Sequence, residues 1–375
     1  MRKKTVAILG STGSIGLSVL EIVKKTHNFK VTLIFANSNY KQILNQIKVF
    51  KPRIAIINNF VVYLKLKKKN LKNTIILNNL TNINKYINKI DITVSAIPGI
   101  VGLEPTITFI KLSKKILLAN KESIVCGWSL IKKNLKKYNT ELVPIDSEHF
   151  SIRELTKTYS NEDISKIYIT ASGGPFLHLS KNKFKNIKPV DAIKHPKWKM
   201  GKKISIDSAT MMNKVLEVTE AVKLFPFDLK KYEIVIHPQS LIHAIVKFKN
   251  GTTYFLYHLP DMKIPISNAM HDNRFDYTKY FKNNPHEDIS NLNLKFFPPN
   301  KKKFSTLELI SKINNSMSGP IIINAANEIF VDEFLKNNID FSDIFTYLKL
   351  VLKDKNYIKT SNMPSNSIKN IYKID

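Results

Sequence analysis

Thr5-Val6-Ala7-Ile8-Leu9-Gly10-Ser11-Thr12-Gly13-Ser14-Ile15-Gly16 is the stretch on which the fold turns. Its first half is a short apolar run of the kind that forms a buried strand. Residues 15–25 then carry the spacing of a helix. Between them lies a glycine-rich turn. Glycines there let the backbone turn tightly and approach a pyrophosphate, whose charge faces the helix N-terminus. A glycine motif alone is weak, but the strand before it and the helix after it strengthen it. An ordinary glycine turn is the plainer alternative. Further short apolar runs follow at 31–36, 54–57, 74–77, 92–96, 116–119 and 141–145, with helical patterns between them. Strands alternating with helices predict an α/β fold with a parallel sheet covered on both faces. The second strand ends at Ala36-Asn37-Ser38-Asn39. No acidic residue stands there to hold the ribose 2′-hydroxyl of NAD, and the small polar side chains leave room for the 2′-phosphate of NADP. NADPH is the expected cofactor.

The texture changes after residue 146. Strands are expected at 167–170, 233–236, 244–248 and 253–256, with a helix among them, as in an α+β domain. The stretch 272–303, with Pro285, Pro298, Pro299 and Lys301-Lys302-Lys303, reads as a connector. Residues 305–351 read as helical. The expected organisation is a nucleotide-binding domain over 1–146, a catalytic domain over 147–271, the connector, and a C-terminal helical domain over 304–375.

The chain has 375 residues, 43% hydrophobic and 23% charged, which suits a multidomain globular protein. Its formal net charge of +30 invites a nucleic-acid reading. Yet its arginines are only Arg2, Arg53, Arg153 and Arg274, so lysine carries nearly all of the charge. Lys, Asn and Ile share A/T-rich codons, and base composition explains the bias more cheaply than binding does. Arginine would be expected at bidentate phosphate or guanine contacts. We expect a solvated basic surface that attracts small anions, with no nucleic-acid partner. The single cysteine, Cys126, excludes an internal disulfide and suits a reducing cytoplasm. The apolar run near the N-terminus stops at glycines without a cleavage site, so no signal peptide and no membrane partner are expected.

The chemistry concentrates in a few segments. In Asp207-Ser208-Ala209-Thr210-Met211-Met212-Asn213-Lys214-Val215-Leu216-Glu217 a helix would stack Asn213 over Glu217 and bring Lys214 to the same face. Ser208 fits its N-cap. Such a face suits a substrate with a phosphate at one end and a metal-bound oxygen at the other. Pro144-Ile145-Asp146-Ser147-Glu148 follows a strand, and residues two apart in extended chain share a face. Asp146, Glu148 and Glu217 together would form an all-oxygen site for Mg²⁺ or Mn²⁺. Taken alone, Asp146 and Glu148 read better as helix capping and surface charge. Ser172-Gly173-Gly174 offers either a nest of N–H groups for a phosphate or a tight turn. His195-Pro196-Lys197-Trp198-Lys199-Met200-Gly201 is either a lid with Trp198 and Met200 on it or a loop with one buried Trp. Asn120-Lys121-Glu122 follows a strand at its carboxyl end, where ligands border such sheets.

These segments, with Ile236-His237-Pro238-Gln239-Ser240, Pro260-Asp261-Met262 and Asn324-Ala325-Ala326-Asn327-Glu328, resemble in order the motifs of the 1-deoxy-D-xylulose 5-phosphate reductoisomerase family. The resemblance implies a Rossmann-like NADPH domain, a catalytic domain and a helical domain, usually in a cytoplasmic homodimer. It implies isomerisation and reduction of 1-deoxy-D-xylulose 5-phosphate to 2-C-methyl-D-erythritol 4-phosphate, in the non-mevalonate isoprenoid pathway, with Mg²⁺ or Mn²⁺ and also Co²⁺. Carried over by position, Asp146, Glu148 and Glu217 match metal ligands. Lys121, Ser147, Ser172, His195, Ser208, Asn213 and Lys214 match substrate contacts. Thr12, Gly13, Ser14, Ile15, Asn37, Ser38, Asn39, Asn120, Glu122 and Gly201 match NADPH contacts, and Trp198 and Met200 match the lid. Asn37-Ser38 departs from the glycine and basic residue common near the 2′-phosphate. Two rivals are a semialdehyde-type NADP-dependent dehydrogenase, which needs no carboxylate triad, and a basic nucleic-acid-binding protein.

Overall fold

Eleven strands and sixteen α-helices are laid out along the residues that this computed structural model describes, 2–69, 71–198, 200–281 and 292–375. Pro285, part of the expected connector, lies outside them. The chain divides into two units, one of residues 1–123, 130–146 and 262–286, the other of 124–129, 147–261 and 287–375.

The first unit is built on the alternation seen in the sequence. Its strands are β1 (Lys4–Leu9), β2 (Phe29–Ala36), β3 (Ile54–Ile57), β4 (Ile75–Leu77), β5 (Ile90–Ser95), β6 (Ser113–Leu118) and β7 (Glu141–Pro144). Helices α1 (Ser14–Thr26), α2 (Tyr40–Phe50), α3 (Phe60–Lys67), α4 (Leu103–Leu112) and α5 (Lys121–Tyr138) connect them. The sheet is parallel throughout, in the order β4-β3-β2-β1-β5-β6-β7. Val6, Ile8, Ile34, Ala55 and Val94 are buried in its core, which explains why the strands read as unbroken apolar runs. The order reverses between β2-β1 and β5, and there the strands' carboxyl ends form the crevice that such sheets use for ligands.

The second unit contains a four-stranded sheet of β8 (Ile164–Ala171), β9 (Tyr232–Ile236), β10 (Ile242–Phe248) and β11 (Thr253–Tyr257), in the order β11-β10-β8-β9. Helices α6 (Ser147–Thr156), α7 (Pro189–Ala192), α8 (Lys202–Ala209) and α9 (Met212–Leu224) belong to the same unit. Ile152 of α6 and Val218 and Ala221 of α9 share a core with Ile167, Ile169, Ala244 and Val246. That packing fixes two helices whose other faces carry the acidic side chains.

Helices α10 (Lys263–Met270) and α11 (Tyr277–Tyr280) return to the first unit, where Ile266, Ala269, Met270 and Phe281 enter its core. The remaining helices, α12 (Leu309–Ile313), α13 (Gly319–Leu335), α14 (Phe341–Val351), α15 (Lys355–Thr360) and α16 (Ile368–Ile374), lie in the second unit. Phe184, Phe334, Phe341 and Phe345 pack ring on ring among them. No helix of the described residues is long and apolar enough to cross a membrane.

One expectation is corrected. Ser208 is not an N-cap. It lies in the last turn of α8, and a new helix, α9, begins beyond a break at Thr210-Met211. Met211 is left-handed, with φ 63°, and its carbonyl receives the Lys214 N–H. The buried Thr306 hydroxyl closes the break by donating to the Thr210 carbonyl at 2.5 Å.

Candidate active site

The glycine loop owes its shape to the space that it lacks. Gly10 has φ +87°, and a Cβ on it would lie 2.5 Å from the Ala96 carbonyl oxygen. A Cβ on Gly16 would come within 2.4 Å of the Gly10 oxygen. Both contacts are with backbone, so only glycine fits. Gly13 caps α1, which places Ser14 and Ile15 in its first turn, where N–H groups are unpaired. Gln46 of α2 fixes the loop: it accepts from the Ser11 hydroxyl at 2.7 Å and donates to the Ser11 carbonyl at 2.9 Å. Asn37 and Ser38 follow β2, and the Asn39 side chain caps α2 by accepting from the Gln42 N–H. Thr12 lies within the turn.

Asn120 is committed to structure. Its oxygen caps α5 by accepting from the Ser123 N–H, and its amide donates to the carbonyls of Ile97 and Gly99 and to Glu122. It thus ties together the ends of β5 and β6 beside the crevice. Lys121 follows, buried, with its ammonium 3.2 Å from Asp146.

Asp146 is where the chain leaves the first unit, and Glu148 follows two residues later in the first turn of α6. Glu217 sits on α9 and is 1% exposed. One oxygen from each of Asp146, Glu148 and Glu217 can be chosen so that all lie within 4.8 Å of one another. Buried like charges at that spacing need compensation. Lys214, one turn before Glu217, supplies it: its ammonium donates to Glu217 at 2.6 Å and also to Glu148. Burial opposes that charge, but the two carboxylates and their hydrogen bonds outweigh it and raise the Lys214 pKa. Asn213 donates to the other Glu217 oxygen, as the four-residue spacing predicts. The Ser147 hydroxyl donates to Glu148 at 2.6 Å. A donor set of three carboxylates around a spot already held by a cationic group fits a hard divalent ion.

The residues expected at a phosphate gather nearby in the second unit. Gly173 and Gly174 both have positive φ, and a Cβ on Gly174 would press on the backbone of Ser208 and Ala209 at 3.0–3.1 Å. The Ser172 turn therefore lies directly against Ser208 at the end of α8. Backbone N–H groups of Lys197 and Trp198 donate to His195 Nδ1, which leaves Nε2 protonated and donating to Ser172 Oγ at 2.9 Å. The Gly174 N–H donates to the same oxygen. Ser172 thus keeps its own O–H to offer to an anion. Burial, aided by the Lys214 charge, lowers the His195 pKa to about 4, so the ring is neutral at neutral pH. Trp198 and Met200 of the same segment are half-buried, and Gly201 caps α8 with open space where a Cβ would stand.

Three supporting groups escape the sequence reading. His149 is fully buried. Its Nε2 bonds the Glu217 carbonyl at 3.0 Å, and its Nδ1 lies 3.5 Å from Glu220, one turn beyond Glu217. Asp207, also buried, is held by Lys203 at 3.0 Å and by Asn327 of α13 at 2.8 Å. Gln46 is the third. The available signals were charged residues at helical spacing, Glu217 with Glu220 and Lys203 with Asp207, but solvated charges on a helix face look the same.

Models of three parts of one family match the chain. The 1-deoxy-D-xylulose 5-phosphate reductoisomerase model matches residues 6–127, and its two C-terminal domain models match 142–225 and 258–375. The enzyme of that name from Pelagibacter ubique is 45% identical over 99% of this chain and 97% of its own length. The chain belongs to the 1-deoxy-D-xylulose 5-phosphate reductoisomerase family. A further member, from the Wolbachia of Culex pipiens, is 38% identical over 99% of this chain and 95% of its own. Among solved reductoisomerases, one in complex with NADPH, fosmidomycin and magnesium superposes with a TM-score of 0.91 at 34% identity, covering 99% of this chain and 95% of that one. The Zymomonas mobilis enzyme in complex with NADPH gives 0.88 at 34% identity, covering 100% and 96%. The α/β reading is borne out, and membership of this family displaces the semialdehyde-dehydrogenase rival.

Proposed function

We infer that the chain carries out its family's reaction with the residues described above: the NADPH- and divalent-metal-dependent isomerisation and reduction of 1-deoxy-D-xylulose 5-phosphate to 2-C-methyl-D-erythritol 4-phosphate. The observation that carries the assignment of residues is the cluster of Asp146, Glu148 and Glu217, with Lys214 bonded to two of its members. Those carboxylates hold Mg²⁺ or Mn²⁺, with Co²⁺ a further choice. Such an ion supplies Lewis-acid polarisation of the substrate's oxygens. Bound NADPH supplies the hydride.

The chain's own residues position and shield. Ser172, His195, Ser208, Asn213 and Lys214 bind the substrate phosphate, through O–H and N–H donors and one ammonium. Holding a group remote from the reacting carbons gives binding energy that orients the rest. Lys121 and Ser147 flank the carboxylates and orient the substrate's oxygens. Trp198 and Met200 close over the substrate and exclude water. Thr12, Gly13, Ser14 and Ile15 bind the NADPH pyrophosphate at the start of α1. Asn37, Ser38 and Asn39 border the 2′-phosphate, and Asn120, Glu122 and Gly201 border the remainder of the cofactor.

By task, residues 1–146 bind nucleotide, 147–271 carry metal and substrate, 272–303 connect, and 304–375 form the helical part. That division differs from the division by contact, because 262–286 cluster with the first unit. We propose a homodimer in the cytoplasm, a compartment that the single cysteine suits. The outer strand β11, with Tyr254 and Phe255 exposed, supports pairing with a second copy.

The test is NADPH oxidation followed with 1-deoxy-D-xylulose 5-phosphate, with and without Mg²⁺ or Mn²⁺. Turnover that vanishes on chelation and returns with the ion is the expected result. Metal-independent turnover would remove the carboxylate cluster from the reaction.

A further inference from the structure

Two buried imidazoles lie next to Trp198 and take no part in the assignments above. His243 falls where β10 and β11 slip register: Ile242 faces Tyr257 and Ala244 faces Leu256, leaving His243 as a bulged residue. A bulge re-aims a side chain. This one turns the His243 ring onto that of His258, centroids 3.8 Å apart and planes 16° from parallel. The rings are 3% and 6% exposed. His243 Nε2 donates to the His258 carbonyl at 3.1 Å, and His258 Nδ1 donates to the Leu259 carbonyl at 2.7 Å, so both ring planes are pinned. Trp198 meets His243 edge-on at 6.0 Å. Phe150 of α6, two residues after Glu148, meets His258 edge-on at 6.5 Å. The four rings form a continuous run of contacts from the segment of His195 to the helix of Glu148.

We propose that His258 is a positioning residue for substrate binding: its ring backs His243 and makes the seat on which Trp198 rests. Two features set it apart from plain core filling. The His258 Nε2 is buried without a hydrogen-bond partner, a cost that an apolar side chain would avoid. And the face-to-face stack holds His243 flat, which a branched aliphatic chain could not do. A seated Trp198 is already ordered when substrate arrives, so less of the binding energy is spent on ordering the segment. Without the stack, the competent arrangement is populated less and the apparent affinity falls by the same factor. Burial lowers the His258 pKa to about 4, consistent with a neutral ring in the stack.

The inference rests on the lid reading of Trp198, and one set of variants separates the two. The chain's tryptophans are Trp128 and Trp198, so in a Trp128→Phe background the emission reports Trp198 alone. Fosmidomycin with Mg²⁺ should shift that emission. No shift would remove the lid reading and this inference with it. His258→Leu keeps an apolar side chain but removes the stack, whereas His258→Phe keeps a stacking ring. His258→Leu should raise the KM for 1-deoxy-D-xylulose 5-phosphate about three- to tenfold, leave kcat within about twofold, and red-shift Trp198 emission. His258→Phe should restore both KM and emission. A normal KM in His258→Leu, a raised KM without an emission change, or His258→Phe behaving like His258→Leu would each overturn the seat while leaving the lid.

Discussion

Lys214 shows how much one side chain decides. Its ammonium is buried and bonded to Glu148 and Glu217, so the acidic cluster is compensated within the fold itself. Removing one carboxylate charge should therefore be tolerated structurally and felt chemically. Glu217→Gln keeps the shape and the Asn213 contact. It should lower kcat by about 10²-fold or more, the several kcal/mol expected of a lost metal ligand. NADPH affinity, which we propose the glycine loop provides, should stay within about twofold. Steady-state rates together with an NADPH fluorescence titration read both; near-normal turnover would take Glu217 out of the site. The partners of Glu217 were legible from spacing alone. The roles of His149 and Glu220 were not, because the two lie far apart in the sequence and meet only where α6 packs against α9.

At the scale of elements, the sequence is most transparent where one physical rule dominates. Apolar runs without alternation located all seven parallel strands, since a strand covered on both faces has no polar side to show. The glycine loop was equally readable, because Gly10 and Gly16 each answer a backbone clash. Gly16→Ala tests this: its Cβ would strike Gly10 and Ser11 backbone, with 2.4 Å to the nearer oxygen. Moving that backbone should raise the KM for NADPH several-fold and cost about 1–3 kcal/mol of stability in urea unfolding. An unchanged KM would detach the loop's shape from cofactor binding. The break between α8 and α9 was hidden for the opposite reason. Met211 adopts a left-handed conformation that no glycine or asparagine announces, and Thr306, far along the chain, holds it closed. Ser208 was consequently read as starting the helix when it ends the one before.

For the molecule as a whole, charge was the least informative property. A net +30 carried almost wholly by lysines accompanies a family that acts on a small phosphorylated substrate. The outer strand β11 is more telling. Sedimentation velocity should give twice the monomer mass, and Phe255→Lys on β11 should shift the equilibrium toward monomer. A wild-type chain that sediments as monomer would end the dimer proposal.

The placement of α10 has a consequence for how the protein is made. All strands of the first sheet have been synthesised once β7 is complete, yet Ile266, Ala269, Met270 and Phe281 belong to the same core. The entire second sheet must be translated before they appear. While the chain is growing, the nucleotide-binding sheet therefore emerges with apolar surface still uncovered, an interval in which it is open to chaperones and to aggregation.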